Sequence, residues 1–104
     1  MFNIYRLPPG IEREEVVENL LIDGGVRIER IVSAGQASPE GFWYDQEQNE
    51  WVSLLQGQAR LSWEDGRQQE LSAGDCLLIP AHERHRVDYT SQDPPCIWLA
   101  VHFA

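Results

Sequence analysis

The sequence predicts an all-β fold, a sandwich or closed barrel, with one short helix before it. Short apolar runs recur at close spacing after residue 25, and turn-forming residues separate them. Hydrophobic residues make up 42% of the 104 residues, which is enough for a folded core. The length fits one domain. We therefore expect a single domain over 1–104, with a strand and a helix within 1–25 and the barrel over 26–104.

The first 25 residues are expected to hold the only helix. Met1–Arg6 could form a short edge strand, which Leu7-Pro8-Pro9-Gly10 would end. Ile11–Ile22 has acidic residues in its first turns, where the helix dipole favours negative charge, and Gly24 and Gly25 would stop a helix. The apolar residues that repeat at helical spacing are Val16, Val17, Leu20 and Leu21.

The rest of the chain is expected to form β-strands joined by turns. Asp65-Gly66 is typical of a two-residue hairpin turn, and Pro80 ends a fully apolar run. Strands are expected at Val26–Ser33, Phe42–Tyr44, Trp51–Leu55, Gln58–Trp63, Gln68–Leu71, Cys76–Ile79, Arg84–Tyr89 and Ile97–Phe103.

Composition narrows the classes of function. The net charge is −9, from 17 acidic and 8 basic residues, so binding to nucleic acid or to an anionic membrane surface is not expected. No apolar run approaches the roughly 20 residues of a membrane span, and no signal peptide is recognisable. A cytoplasmic location is the expectation. Cys76 and Cys96 are too few for a disulfide framework and are expected to be reduced.

Two short motifs resemble those of the cupin superfamily. Gly74, Pro80 and His85 have the spacing of the family's second motif, in which His82 replaces a second glycine. Glu50 and Gly57 have the spacing that closes the first motif.

The two histidines of the first motif are replaced. They fall on Trp43 and Asp45 in one register, and on Tyr44 and Gln46 in the other. We prefer the first register, because Asp45 can bind a metal.

The resemblance implies a double-stranded β-helix, or jelly-roll, barrel that covers about residues 26 to 103, with a metal ion inside. The predicted ligands are Asp45, Glu50, His82 and His85, which suit a divalent transition metal; iron, zinc, manganese and nickel are not distinguished. If Glu50 points into the barrel, so do Val52 and Leu54, by the two-residue period of a strand, and Glu50 then lies among apolar neighbours. A carboxylate in a barrel interior is costly unless it is paired or binds a cation.

Each candidate also has a structural interpretation. Glu50 could pair with Arg84 or Arg86, and Asp45 could simply turn the chain. His82 could be an exposed turn residue, while His85 and His102 could be hydrogen-bonded core histidines.

The leading functional hypothesis is a small cupin that binds a divalent metal and a small metabolite. The resemblance implies dioxygenase, isomerase or decarboxylase activity among the options, and no residue in the sequence selects one of them. Trp43, Tyr44, Arg84 and His102 are the candidates for binding the substrate. In this hypothesis Arg84 or Arg86 orients an anionic substrate, and Tyr44 or Trp43 shapes the pocket.

Two other classes of function stay open. A metal-free module could bind a carbohydrate or another small metabolite, and the replaced histidines favour it. A structural or regulatory protein could act through its dimer surface. A homodimer is expected because Trp51, Ser53 and Leu55 form an outer strand face that needs cover.

Overall fold

A computed structural model describes all of residues 1–104. The chain forms eight β-strands and no helix. The strands are β1 (Val16–Asp23), β2 (Val26–Ser33), β3 (Asn49–Gln56), β4 (Gln58–Trp63), β5 (Gln68–Ser72), β6 (Cys76–Ile79), β7 (His85–Thr90) and β8 (Cys96–Phe103). The strands predicted after residue 25 are therefore present, apart from Phe42–Tyr44, where only an isolated bridge joins Tyr44 to His85.

The strands form two antiparallel sheets in a jelly-roll sandwich. One sheet has the order β1-β2-β8-β3-β6, and the other has the order β5-β4-β7. The inner faces of both sheets build one core, whose buried members include Val52, Leu54, Leu61 and Trp98. Side chains alternate between this core and the outer faces, as expected for strands packed on one side.

The predicted helix over Ile11–Ile22 is wrong, because residues 16–23 form strand β1. Asp23 pairs with Val26 across Gly24 and Gly25, so the two glycines make a hairpin turn rather than a helix stop. The β-branched residues of this segment favour a strand, and pairing with β2 decides the outcome.

The predicted edge strand over Met1–Arg6 is also absent. This segment lies instead near β2, where the buried guanidinium of Arg30 donates to the carbonyls of Ile4 and Arg6. The same guanidinium pairs with Glu18 of β1. These contacts hold the residues before β1 in place. No helix is present that is long and apolar enough to span a membrane.

Candidate functional site

A cavity of about 150 Å³ lies between the two sheets. Its walls are mainly apolar side chains from both sheets, among them Val52, Leu61 and Trp98. A small set of polar groups faces the same space: Glu15, Glu29, Tyr44, Gln46, Glu50 and His85. Apolar walls with a few convergent polar groups are typical of small-molecule sites.

Glu50 is the carboxylate at the centre of this site. It is the second residue of β3 and points inward with Val52 and Leu54, as predicted, and it is 7% exposed. Burial raises the pKa of Glu50, and the nearby His102 and His85 lower it only in part. The start of β3 thus presents a carboxyl group that binds a proton more readily than an exposed glutamate.

His85 faces Glu50 from the opposite sheet. It begins β7 and is 5% exposed, and its Nε2 lies 4.0 Å from Glu50 Oε1. Its Nδ1 is 2.9 Å from the carbonyl oxygen of Glu83, a distance at which Nδ1–H donates and Nε2 is left to face the carboxylate. A separation of 4.0 Å is too long for a direct hydrogen bond, so the two groups can each bond to a neighbouring group of one ligand.

The wall beside this pair carries Tyr44 and Gln46. The Tyr44 ring stacks on His85 with centroids 5.4 Å apart, and a backbone bridge fixes the two residues together. The cavity is lined by Tyr44 and Gln46 and by neither Trp43 nor Asp45. The structure therefore selects the other register of the first motif, in which a phenol and an amide occupy the positions of the two histidines.

Asp45 and His82 lie outside the cavity and bind each other. His82 Nδ1 is 2.8 Å from Asp45 Oδ1, and both side chains are about half exposed or more, at 65% for His82 and 48% for Asp45. His82 also keeps the left-handed backbone of the glycine that it replaces, with φ of 62°. The four predicted metal ligands are thus divided into an interior pair and a surface pair.

The remaining candidates are placed at the surface or in the core. Arg84 pairs with Glu64 at 2.9 Å, and Arg86 pairs with Asp88 at 2.9 Å, so neither arginine balances Glu50. Trp43 lies near the Arg86 guanidinium, whose central carbon is 6.0 Å from the Trp43 ring centroid. His102 is buried on β8 and bonds to Glu29.

Two further carboxylates in the cavity wall are not among the site residues predicted from the sequence. Glu29 is 9% exposed on β2, and Glu15 lies at the cavity edge, where it accepts a hydrogen bond from Ser33 Oγ. The alternation Val26, Ile28 against Arg27, Glu29 predicts that Glu29 faces solvent. The usable signal was Ile31, which follows Glu29 as Val52 follows Glu50.

The donor set bears directly on the predicted metal. No group of three or more histidine, cysteine or acidic side chains has a metal-binding arrangement. Glu50 and His85 are the two strong donors that face each other, and the neighbouring Tyr44 and Gln46 are not among the usual ligands of transition metals. The four-ligand centre predicted from the sequence is therefore not assembled.

Comparison with known families agrees with the two motifs. The profile described as "Cupin domain" matches residues 29–102. The chain belongs to the cupin superfamily. A comparison with curated proteins finds no match.

One similar crystal structure comes from Ralstonia eutropha JMP134, and that protein carries the provisional name mannose-6-phosphate isomerase. It is 43% identical with a TM-score of 0.92, and the match covers 99% of this cupin and 96% of that chain. An RmlC-like cupin from Desulfovibrio desulfuricans is 15% identical with a TM-score of 0.76, covering 98% and 94% of the two chains. A cupin from Desulfitobacterium hafniense DCB-2 is 18% identical with a TM-score of 0.74, covering 88% and 78%. The last two likenesses concern the fold alone.

Proposed function

We propose that this cupin binds a small, neutral, hydroxyl-rich metabolite inside the barrel, with Glu50 and His85 as the groups that hold it. The observation that carries the proposal is the pair itself, two buried polar groups 4.0 Å apart that face a common cavity from opposite sheets. His85 Nδ1 is held by the Glu83 carbonyl, whereas Nε2 and the Glu50 carboxyl group are left for a ligand that bonds to both.

The charge of the cavity favours a neutral ligand over a phosphorylated one. Three carboxylates line it, and none of the chain's eight arginines does; the chain has no lysine. A phosphate group would face like charge without an arginine or lysine to pair with. The name of the similar protein, mannose-6-phosphate isomerase, contains a sugar and a phosphate group. A neutral sugar suits the charge of this cavity, and a phosphate group does not.

The size of the cavity sets a second limit. Its volume of about 150 Å³ is well below the range of roughly 300–1,000 Å³ that is typical of sites for drug-sized ligands. A single small ring or an open-chain polyol is the largest ligand class that we expect. Trp98 and Val52 would contact its apolar face.

Divalent metal binding is the second candidate, and the orientation of His85 favours it. An imidazole whose Nδ1–H is held by a backbone carbonyl presents Nε2 in the way that metal-bound histidines do. Glu50 and His85 would be the protein ligands, and a bound metal would supply a Lewis acid. No third histidine, cysteine or acidic side chain joins them in a metal-binding arrangement, so we rank metal binding second.

Saturation-transfer NMR with D-mannose, other neutral monosaccharides and D-mannose 6-phosphate tests the proposal on protein purified without a histidine tag. We expect the neutral sugars to bind and the phosphorylated sugar to bind more weakly. Glu50→Gln and His85→Ala should each weaken binding of the neutral sugars by about tenfold to hundredfold. Glu50→Gln replaces a carboxyl oxygen by an amide NH2, which cannot accept a hydrogen bond, and His85→Ala removes the Nε2 acceptor.

The matched controls are the same two kinds of substitution, made at an exposed glutamate and an exposed histidine. Glu47 is exposed and lies outside the cavity, and His82 is exposed, so Glu47→Gln and His82→Ala should bind like the unaltered protein. Absence of binding by every neutral sugar would contradict the proposal, and so would tighter binding of D-mannose 6-phosphate. Near-stoichiometric metal that is lost in Glu50→Gln would favour the second candidate instead.

A further inference from the structure

The barrel interior holds a second pair of a carboxylate and an imidazole. His102 Nε2 lies 2.7 Å from Glu29 Oε1, and the side chains of His102 and Glu29 are 3% and 11% exposed. Glu29 belongs to β2 and His102 to β8, which are neighbours in the five-stranded sheet. A buried carboxylate that bonds to a histidine is fixed in orientation, because both side chains lose their freedom to turn towards water.

This second pair adjoins the first. In the register of β3 and β8, Glu50 lies directly opposite His102, and the side chains of such partners lie about 5 Å apart at their Cβ atoms. Glu29 lies on the strand beyond, and its side chain lines the same cavity as Glu50. The strand that carries His102 therefore separates two carboxylates that face one space.

The bonding of Glu29 leaves it able to contact a ligand. An ionised carboxylate offers about four acceptor sites, and His102 uses one of them. Arg27 Nε lies 3.9 Å from the other oxygen of Glu29, beyond hydrogen-bond distance, and the Arg27 side chain is itself partly exposed. Glu29 thus keeps acceptor sites that no protein group occupies.

We propose that Glu29 is a second ligand-binding carboxylate and that His102 is its positioning residue. The ligand would donate hydrogen bonds to Glu29 on one side and to Glu50 on the other. This inference rests on the proposed function. It narrows the ligand class to molecules with at least two hydroxyl groups on different sides of the molecule, one for each carboxylate. Two acidic acceptors on one cavity further disfavour carboxylated and phosphorylated ligands.

The experiment is a double-mutant cycle with Glu29→Gln and His102→Gln, measured with D-mannose and the neutral sugar panel. Each single variant should weaken sugar binding by about tenfold, the worth of one hydrogen bond to a charged group. In the Glu29→Gln background, His102→Gln should have little further effect, because its role is to orient that carboxylate. A purely structural histidine would give the same loss in both backgrounds.

Thermal unfolding of each variant checks that the fold persists, and Glu47→Gln again serves as the charge control. Monodeoxy sugars give a second readout: Glu29→Gln should remove the preference for one particular hydroxyl, while Glu50→Gln should remove the preference for another. If Glu29→Gln binds like the unaltered protein while Glu50→Gln does not, this inference is overturned and the proposed function stands. If no neutral sugar binds the unaltered protein, both are overturned.

Discussion

The buried carboxyl of Glu50 ties stability to pH. Its pKa is raised by burial, so the folded state holds this proton more tightly than the unfolded state does. The resulting stabilisation is complete below the ordinary glutamate pKa and is lost as the pH rises through the raised value. At a pH above that value, the folded protein must keep a charged group in its interior.

We therefore expect Glu50→Gln to stabilise the protein, and to do so more as the pH rises. The amide keeps the shape of the side chain and never carries the charge. The melting temperatures of the two proteins should be close at about pH 4 and should diverge by about pH 8, with the variant higher. A variant that melts lower at the higher pH would mean that Glu50 gains more from His85 and His102 than burial costs it.

The sequence predicted Glu50 and His85 correctly as inward residues for different reasons. Glu50 shares a strand face with Val52 and Leu54, so the two-residue period decides its side. His85 follows from the spacing of the second motif. Asp45 lies in a loop, where that period does not apply. The preferred register of the first motif was wrong by one residue there, so Tyr44 and Gln46 line the cavity instead of Trp43 and Asp45.

At the scale of elements, the turn between β3 and β4 depends on Gly57. Its φ is +93°, and a Cβ there would lie 2.8 Å from Ser91 Oγ and 2.9 Å from Cys96 Sγ. The turn is thus pressed against the segment that leads into β8, the strand that carries His102. The glycine is required both by the backbone and by the packing.

We expect Gly57→Ala to lower the free energy of unfolding by more than Gly66→Ala does. Gly66 has a similar φ of +98°, but a Cβ added there would meet nothing within 4 Å, so Gly66→Ala carries the backbone strain alone. The crowding at Gly57 should add about 1–3 kcal/mol. Urea unfolding of the two variants measures the difference. Equal losses of stability in the two variants would show that the residues around Gly57 move to accommodate the added Cβ without a measurable loss of free energy.

The element that was predicted wrongly from the sequence is β1, which was expected to be a helix. Val16, Val17, Leu20 and Leu21 satisfy a helical period, but the same residues form an edge strand once β2 is available to pair with them. Local periodicity over so short a segment cannot outweigh that pairing, whereas the hairpin at Asp65-Gly66 and the strand at Gln58–Trp63 carry their own turn and alternation signals.

At the scale of the whole molecule, the outer face of the larger sheet carries an apolar row. The strand registers place one residue from each of the five strands side by side in this row. Its members are Leu21, Ile28, Val101, Trp51 and Leu78. Trp51 and Leu78 are 44% and 48% exposed, and the outward side chains of β3, β8 and β6 include no charged residue.

We propose that a second copy of the chain covers this row. Two copies that each carry a net charge of −9 repel one another, and the uncharged part of this face, on β3, β8 and β6, is where they can meet at least cost. A self-complementary face of this kind suits a two-fold dimer, the commonest symmetric assembly.

Trp51→Glu should then convert a dimer into a monomer, as measured by light scattering after size-exclusion chromatography. Tyr89→Glu is the matched control, because Tyr89 is 48% exposed on the other sheet and its substitution should leave the dimer intact. An unaltered protein that is monomeric at its highest soluble concentration would overturn the proposal.

The most direct test of the central claim uses the three histidines, whose imidazole nitrogens can be followed separately by NMR. During titration with the neutral sugar that binds best, we predict that the His85 resonances shift with saturation, because the ligand lies between His85 and Glu50. The exposed His82 should not respond. Shifts confined to His82, or binding that leaves His85 unchanged, would contradict a ligand site in the barrel interior.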